Sequence, residues 1–206
     1  EGRIIFYDAQ KDKYAIKTFA TDTAKAEFPS GMTTLDRDNI VVVTSASGTL
    51  RFYSLAGGID AIKELTSWTV SSAILKHVGA AFNSAQGKYY LLINDTLYRG
   101  KHGSWENVGT LSWDYDTGRE SIALTYVGYN TFVAFAPGSS KEYNKFQYTI
   151  LTVDAAGAPT VSKVNQELTM TNPPNQGELP GPNFRWASTV TYDGSKFRMC
   201  AAPRRL

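Results

Sequence analysis

Four tryptophans stand in segments rich in Ser, Thr, Asn, Gly and Asp, and they carry the clearest chemistry in the chain. Proteins bind sugars with an aromatic ring that stacks on the C–H face, while polar neighbours bond the hydroxyl groups; Trp supplies a large ring and an N–H donor. Trp105 is closely followed by Asn107, and Trp113 directly by Asp114. The alternative is that each ring packs as a spacer between neighbouring sheets. The predicted ligand-binding residues are Trp68, Trp105, Asn107, Trp113, Asp114 and Trp186.

Catalytic chemistry has less support in these residues. A serine hydrolase needs a histidine base, and neither His77 nor His102 is flanked by a nucleophile elbow or an oxyanion loop. A glycoside hydrolase needs carboxylates that converge in one pocket, for which Asp114 and Asp116 are candidates. The hydrolase therefore stays an alternative function, and no catalytic residue is predicted.

Metal and cofactor chemistry is also weakly represented. The segment 114–118 has the Asp-x-Asp-x-Gly start of a calcium loop but lacks the rest of an EF-hand. The two histidines have no Cys or carboxylate at zinc-ligand spacing. Cys200, in a strand-like run, is expected to be a small buried apolar residue. No cofactor is predicted.

Composition and charge set the class of molecule. The 206 residues are 42% hydrophobic and 19% charged, which suits one globular domain spanning 1–206. The formal net charge is only +2 and the basic residues are scattered, so no nucleic-acid partner is expected. No run of 18 apolar residues exists, so no membrane span is expected.

A fourfold repeat organises the chain. Each copy has a small residue, a large apolar residue, usually Asp or Asn, a tight turn and then a β-rich run, which is a hairpin signature. The large apolar residues Leu35, Phe82, Tyr126 and Tyr192 are spaced 47, 44 and 66 residues apart. Repeats of four strands run to roughly 40–50 residues. The longer interval contains a Pro- and Gly-rich insertion at 166–185.

Further strands are predicted after three of the hairpins, at 49–54, 96–99, 146–154 and 159–164. Two N-terminal strands, at 3–7 and 14–19, have no other partner, and the last hairpin has no strands after it. Strands from both termini that complete one blade would remove exposed sheet edges. The predicted fold is an all-β, four-bladed β-propeller closed in this way, with a five-bladed propeller as the alternative.

Two smaller features belong to the same scheme. Asp36 and Asp193 occupy equivalent hairpin turns, so each is expected to form a turn. The segment 58–65 has apolar residues at helical spacing and is expected to form one or two helical turns, in place of or before an outer strand.

One repeat carries a family resemblance. The segment 79–99, with Gly79-Ala80-Ala81-Phe82, Gly87-Lys88-Tyr89-Tyr90 and Tyr98-Arg99, resembles a blade of hemopexin-like four-bladed propellers and is also similar to blades of propeller lectins. The hemopexin-like resemblance implies a protein- or haem-binding module, with a structural cation on main-chain carbonyls in the central channel.

The function predicted from these features is non-catalytic carbohydrate recognition, of the lectin or adhesin kind. The expected partner is a glycan or glycoprotein, and the expected location is extracellular or secreted. The alternatives are a glycoside hydrolase of propeller fold and a hemopexin-like protein- or haem-binding module. The residues do not predict an oligomeric state.

Overall fold

The computed structural model describes residues 2–20, 29–45, 47–70, 78–111, 122–137, 145–169 and 184–205. The chain folds as two compact units, Glu1–His77 and Val78–Leu206. Throughout the described ranges the secondary structure is β-strand with short 3₁₀ turns, and every strand pair is antiparallel. The predicted all-β class is confirmed, whereas a single domain over 1–206 stays a prediction.

The first unit contains a hairpin and a larger sheet. The hairpin pairs β1 with β2, and the larger sheet runs β3-β4-β5, with β6 and β7 both paired to β5. The strand bounds are β1 Gly2–Asp8, β2 Lys13–Ala20, β3 Pro29–Leu35, β4 Ile40–Ser45, β5 Thr49–Ser54, β6 Lys63–Glu64 and β7 Trp68–Thr69. A 3₁₀ turn at Ile59–Ala61 confirms the helical turn expected in 58–65.

Side-chain alternation gives the first unit its core. Successive residues of a strand point to opposite faces, so Ile4 and Phe6 of β1 are buried while Ile5 and Tyr7 are exposed. The buried side chains pack in one cluster: Ile4, Phe6, Phe19, Val41, Val43, Tyr53, Ile59 and Ile62. The opposite face of the hairpin presents Ile5, Tyr7, Tyr14 and Ile16 to solvent.

The second unit contains two four-stranded meanders and a hairpin. Their strand orders are β11-β10-β9-β8, β12-β13-β14-β15 and β16-β17. The bounds are β8 Val78–Asn83, β9 Lys88–Ile93, β10 Thr96–Lys101, β11 Ser104–Thr110, β12 Ala123–Gly128, β13 Thr131–Pro137, β14 Lys145–Val153, β15 Pro159–Thr169, β16 Phe184–Tyr192 and β17 Phe197–Arg205.

The first strands of these three sheets are neighbours, because β12 contacts both β8 and β16. Gly79 permits the close approach of β8 to β12, since a Cβ at this position would lie 2.9 Å from the main-chain nitrogen of Leu124. The core of the unit joins both meanders: Tyr90, Leu92, Leu97, Leu111, Ile122, Leu124, Phe132, Ala134, Leu151 and Val153. The ring centroids of Tyr90 and Phe132, two residues of this core, lie 4.8 Å apart.

All four predicted hairpins are present, as β3–β4, β8–β9, β12–β13 and β16–β17. The further strands predicted at 49–54, 96–99, 146–154 and 159–164 correspond to β5, β10, β14 and β15. The N-terminal strands form β1–β2. β1–β2 and β16–β17 are each two-stranded sheets, so the closure of one blade by both stays a prediction.

The structure differs from the sequence prediction at the insertion and at the edge strand β11. The insertion was expected at 166–185, but β15 continues to Thr169 and β16 already begins at Phe184, because each strand has a partner that extends its ladder. The strand β11 was not predicted, since Ser104–Thr110 has little apolar alternation. It forms because its backbone groups pair with β10 at the sheet edge.

Candidate functional site

The second unit has an open cleft of about 470 Å³, lined by Gln86, Lys88, Arg99, Asn130 and Ala155. These residues come from β9, β10 and three hairpin turns, at 84–87, 129–130 and 154–158. The cleft is therefore built where the turns of two neighbouring meanders meet. Four of its five lining side chains carry nitrogen donors.

Asn83 organises the first turn and ties it to the second. Its buried side-chain oxygen Oδ1 accepts hydrogen bonds from the main-chain N–H groups of Ala85 (3.0 Å) and Gln86 (3.2 Å). Because main-chain N–H groups can only donate, the orientation of this amide is determined. Its Nδ2 therefore donates to Asn130 Oδ1, at 2.9 Å. Because Asn130 Oδ1 is the acceptor of this bond, the Nδ2 group of Asn130 can donate to other acceptors.

Gln86 joins the first turn to the third. Its Nε2 donates to the main-chain oxygen of Asp154 at 2.7 Å, and its Oε1 accepts from the hydroxyl of Tyr90 at 2.6 Å. Burial raises the pKa of Tyr90 above its ordinary value, although Arg99 acts in the opposite direction. The hydroxyl therefore stays protonated at neutral pH and donates a hydrogen bond to Gln86 Oε1.

Arg99 is held on two sides. Its Nε donates to Glu106 Oε1 at 2.6 Å, a second guanidinium nitrogen contacts the same carboxylate, and Nη1 donates to the main-chain oxygen of Ala155 at 3.0 Å. Gly157 makes room for this side chain, since a Cβ there would lie 2.8 Å from Arg99 Cδ. The positive charge of Arg99 is thus balanced by Glu106.

Lys88 is the second cation of the cleft. It is the first residue of β9, and its side chain is exposed. Among the residues that the structure describes, no carboxylate lies within ion-pair distance of its ammonium group. Within the described part of the chain, Lys88 therefore lines the cleft without an ion-pair partner.

Tyr129 stands next to the lining residue Asn130 and is 98% exposed. Both residues of this two-residue turn have positive φ, 49° for Tyr129 and 57° for Asn130, as a type I′ turn requires. Asn and Gly favour this conformation, whereas a bulky aromatic residue in it is an outlier that often marks function. An aromatic ring is thus displayed to solvent at a position that local backbone preference does not explain.

The structure places the predicted residues in different surroundings. Trp105 and Asn107 lie on the edge strand β11, on either side of Glu106. Since Glu106 faces Arg99, alternation puts Trp105 and Asn107 on the other face of the sheet from the cleft. Trp105 is partly exposed with a buried Nε1 atom, and exposed Asn107 accepts a hydrogen bond from Gly109 N at 3.0 Å.

The remaining predicted residues do not join this pair in one described site. Trp68 lies in β7 of the first unit, paired with Leu50. Trp186 lies in β16, and Trp113 and Asp114 fall outside the described residues. The sequence predicted none of the lining residues as ligand-binding, and Lys88 and Arg99 were named only for the blade resemblance. The Tyr-Asn turn at 129–130 is a local signal that could have found the site.

His102 and Asp193 both lie in connections between paired strands. His102 lies in the turn between β10 and β11. Asp193 accepts hydrogen bonds from the main-chain N–H groups of Lys196 (2.9 Å) and Ser195 (3.0 Å) and pairs with Arg198, which confirms its turn-forming role. These bonds lower the pKa of Asp193 to about 2. Asp114 and Asp116 fall outside the described residues.

Within the described ranges, no three His, Cys, Asp or Glu side chains come together as a metal site. In the same ranges, no helix has the length and apolar character needed to cross a membrane. No protein-family model and no curated protein matches this chain in sequence.

Proposed function

We propose that this protein is a non-catalytic carbohydrate-binding domain of the lectin or adhesin kind, with its binding site at the cleft beside Tyr129. The observation that carries the proposal is the exposed Tyr129 ring, held on a turn of unfavourable backbone conformation next to a cleft of amide and cationic side chains. An aromatic face and directed donors are the two elements that sugar recognition requires.

The dimensions and rigidity of the cleft support this function. Its volume of about 470 Å³ lies in the range of roughly 300–1,000 Å³ found for small-molecule sites. The bonds that Asn83, Gln86 and Arg99 make across the turns hold the lining groups in place before a ligand arrives. Preorganisation of this kind lowers the entropy lost on binding.

The tryptophan segments supply a second surface in this proposal. Trp105 and Asn107 share the face of β11 that lies away from the cleft, and Trp105 is partly exposed there. We assign Trp105 and Asn107 to additional contacts with a larger glycan or glycoprotein, and Trp68, Trp113, Asp114 and Trp186 stay predicted ligand-binding residues. An extracellular or secreted location follows from such a partner.

A four-bladed β-propeller is the fold that we propose for the whole chain. In each larger sheet the strands follow one another in chain order, as in propeller blades, and the first strands β8, β12 and β16 are neighbours. The hairpin β1–β2 leaves Ile5, Tyr7, Tyr14 and Ile16 exposed, an apolar face typical of a sheet that lacks a neighbour. That face is the one that a neighbouring blade covers in a propeller. β1–β2 and β16–β17 each have two strands, and in this proposal they pair edge to edge as one four-stranded blade.

A glycan array probed with purified protein tests the function. Tyr129→Asn is the informative variant, because Asn tolerates the positive φ of the turn while the ring is lost. Tyr14→Thr, which removes another exposed tyrosine on the first unit, is the matched control.

We expect the wild type to bind defined glycans, and Tyr129→Asn to bind them at least about ten-fold more weakly, a change of about 1.4 kcal/mol. The control should bind as the wild type does. An array without binding to any glycan, or equal binding by Tyr129→Asn, would contradict the proposal. Trp105→Phe reports separately on the second surface.

A further inference from the structure

The hydrogen-bonding groups of the cleft are unequally used. Each side-chain amide oxygen of the lining already accepts one hydrogen bond, because Gln86 Oε1 accepts from Tyr90 and Asn130 Oδ1 accepts from Asn83. The Nδ2 group of Asn130 and the ammonium of Lys88 have no hydrogen-bond or ion-pair partner among the residues that the structure describes. The side chains that line the cleft therefore offer donors to a ligand.

The difference between the donors and the acceptors of the cleft follows from the orientation of its side-chain amides. Asn83 is oriented by two main-chain N–H groups, and Gln86 is oriented by the main-chain oxygen of Asp154, which can only accept. Flipping either amide would set a donor against a donor or an acceptor against an acceptor. The orientation of Asn130 follows from that of Asn83, so its free group is the NH₂.

The charges of the lining side chains also favour a ligand with an anionic oxygen. Arg99 is neutralised by Glu106, whereas Lys88 has no carboxylate partner in the described part of the chain. The carboxylate of Asp154, which is not a lining residue, keeps its negative charge and accepts a hydrogen bond from Ala158 N at 2.9 Å within its own turn. An ammonium beside an amide NH₂ is a suitable pair of donors for an anionic oxygen.

We infer that the cleft selects acidic saccharides, binding a carboxylate or sulfate group of the sugar through Lys88 Nζ and Asn130 Nδ2 while Tyr129 contacts the sugar ring. The inference rests on the proposed carbohydrate-binding function and narrows it to one class of glycan. A neutral sugar makes no charge-assisted hydrogen bond with the exposed Lys88, whereas an anionic group does, so the anionic group supplies the preference.

Matched pairs of oligosaccharides test the inference by titration calorimetry. One pair is a uronic-acid oligosaccharide and its carboxyl-reduced form; the other is a sulfated oligosaccharide and its desulfated form. We expect the wild type to bind at least one acidic member ten-fold or more tightly than its neutral partner, with an affinity that falls as salt is added. Comparison of the two pairs tells carboxylate from sulfate.

Three variants locate the contact. Lys88→Gln should abolish the preference for the acidic member, and Lys88→Arg should retain it. Lys101→Gln removes an exposed lysine of β10 outside the cleft lining and should bind as the wild type does. Asn130→Asp should weaken acidic binding ten-fold or more, because it keeps the acceptor for Asn83 and replaces the donor with a negative charge. Thermal melting confirms that each variant folds.

The outcomes separate this inference from the function on which it rests. Wild-type protein that binds neutral and acidic members equally, or a preference unchanged in Lys88→Gln, overturns the acidic selectivity and leaves carbohydrate binding intact. Binding of sulfate or acetate ions as tightly as the acidic oligosaccharide also overturns the inference. An absence of binding to every saccharide, acidic or neutral, overturns the proposed function itself.

Discussion

Asn83 donates its side-chain Nδ2 to Asn130 Oδ1 at 2.9 Å, and this bond joins the β8–β9 turn to the β12–β13 turn of the neighbouring meander. The two residues are 47 positions apart in the chain. One end of the bond is a fully buried side chain that also caps its own turn, and the other end is a residue of the cleft. The binding surface and the packing of two sheets therefore share one hydrogen-bond network.

Asn83→Ala should destabilise the second unit. The substitution removes two bonds to main-chain N–H groups and one to Asn130, and loss of a buried polar partner costs about 1–3 kcal/mol in the free energy of unfolding. Urea unfolding measures the change, and a double-mutant cycle with Asn130→Ala isolates the shared bond. Asn107→Ala is the control and should cost less, because Asn107 is exposed on the edge strand β11 and accepts one bond, from Gly109 N. Equal urea midpoints for Asn83→Ala and the wild type would refute this role.

Gly157→Ala should lower the free energy of unfolding by more than backbone strain alone would. Gly157 has φ 90°, and an added Cβ would lie 2.8 Å from Arg99 Cδ, which Glu106 and Ala155 hold in place. Gly194→Ala is the matched control, because φ is 96° there and nothing lies within 4 Å of the added Cβ. The control should lose about 1–2 kcal/mol in the free energy of unfolding, the usual cost of placing a residue with a Cβ in the left-handed conformation. If both variants melt at the same temperature, Arg99 is not held as described.

The stability contributed by Asp193 should depend on pH. Hydrogen bonds from Lys196 N and Ser195 lower the pKa of its carboxyl from 3.8 to about 2 in the folded protein, so folding favours the charged form. That contribution is complete above about pH 4 and disappears as pH falls through about 2. The gap in urea midpoint between wild type and Asp193→Asn should therefore be constant near neutral pH and shrink between pH 4 and pH 2. A gap that does not vary from pH 6 to pH 2 would show that the turn does not stabilise the charged carboxylate.

Deletion of residues 1–19 tests the closure of the proposed propeller. The deletion removes Ile4, Phe6 and Phe19 from the core of the first unit, so that unit must lose stability. If β1–β2 also completes a blade with β16–β17, residues 78–206 should become less stable as well. Hydrogen exchange of β16 and β17 measures this second effect, with Ile4→Ala in the full chain as a milder comparison. Unchanged protection of β16 and β17 after the deletion would argue against closure.

The strands were predictable where the signals are local. Thr49–Ser54 was predicted with the bounds that β5 has, and the hairpins around Leu35, Phe82, Tyr126 and Tyr192 were located because each has turn residues beside a β-rich run. β11 was not predicted, because Ser104–Thr110 has little apolar alternation and its pairing depends on β10. Edge strands draw their stability from a neighbour, which local pattern does not reveal.

The candidate site was not predictable in the same way. Trp105 and Asn107 were chosen for their residue types, but the register of β11 against β10 puts Arg99 and Glu106 on one face and these two on the other. From the sequence alone, Tyr129 could be recognised only as a residue of a tight turn. Its positive φ and nearly complete exposure are properties of the folded hairpin.

The amino-acid sequence by itself determined the β class, the repeated hairpins and the turn role of Asp193, because turn chemistry and side-chain alternation act over a few residues. Only the tertiary structure decided where the cleft lies and which of its groups are free. The bonds that build it join residues 47, 56 and 68 positions apart, from Asn83 to Asn130, Arg99 to Ala155 and Gln86 to Asp154. Such contacts depend on how two sheets pack, and no local pattern encodes that packing.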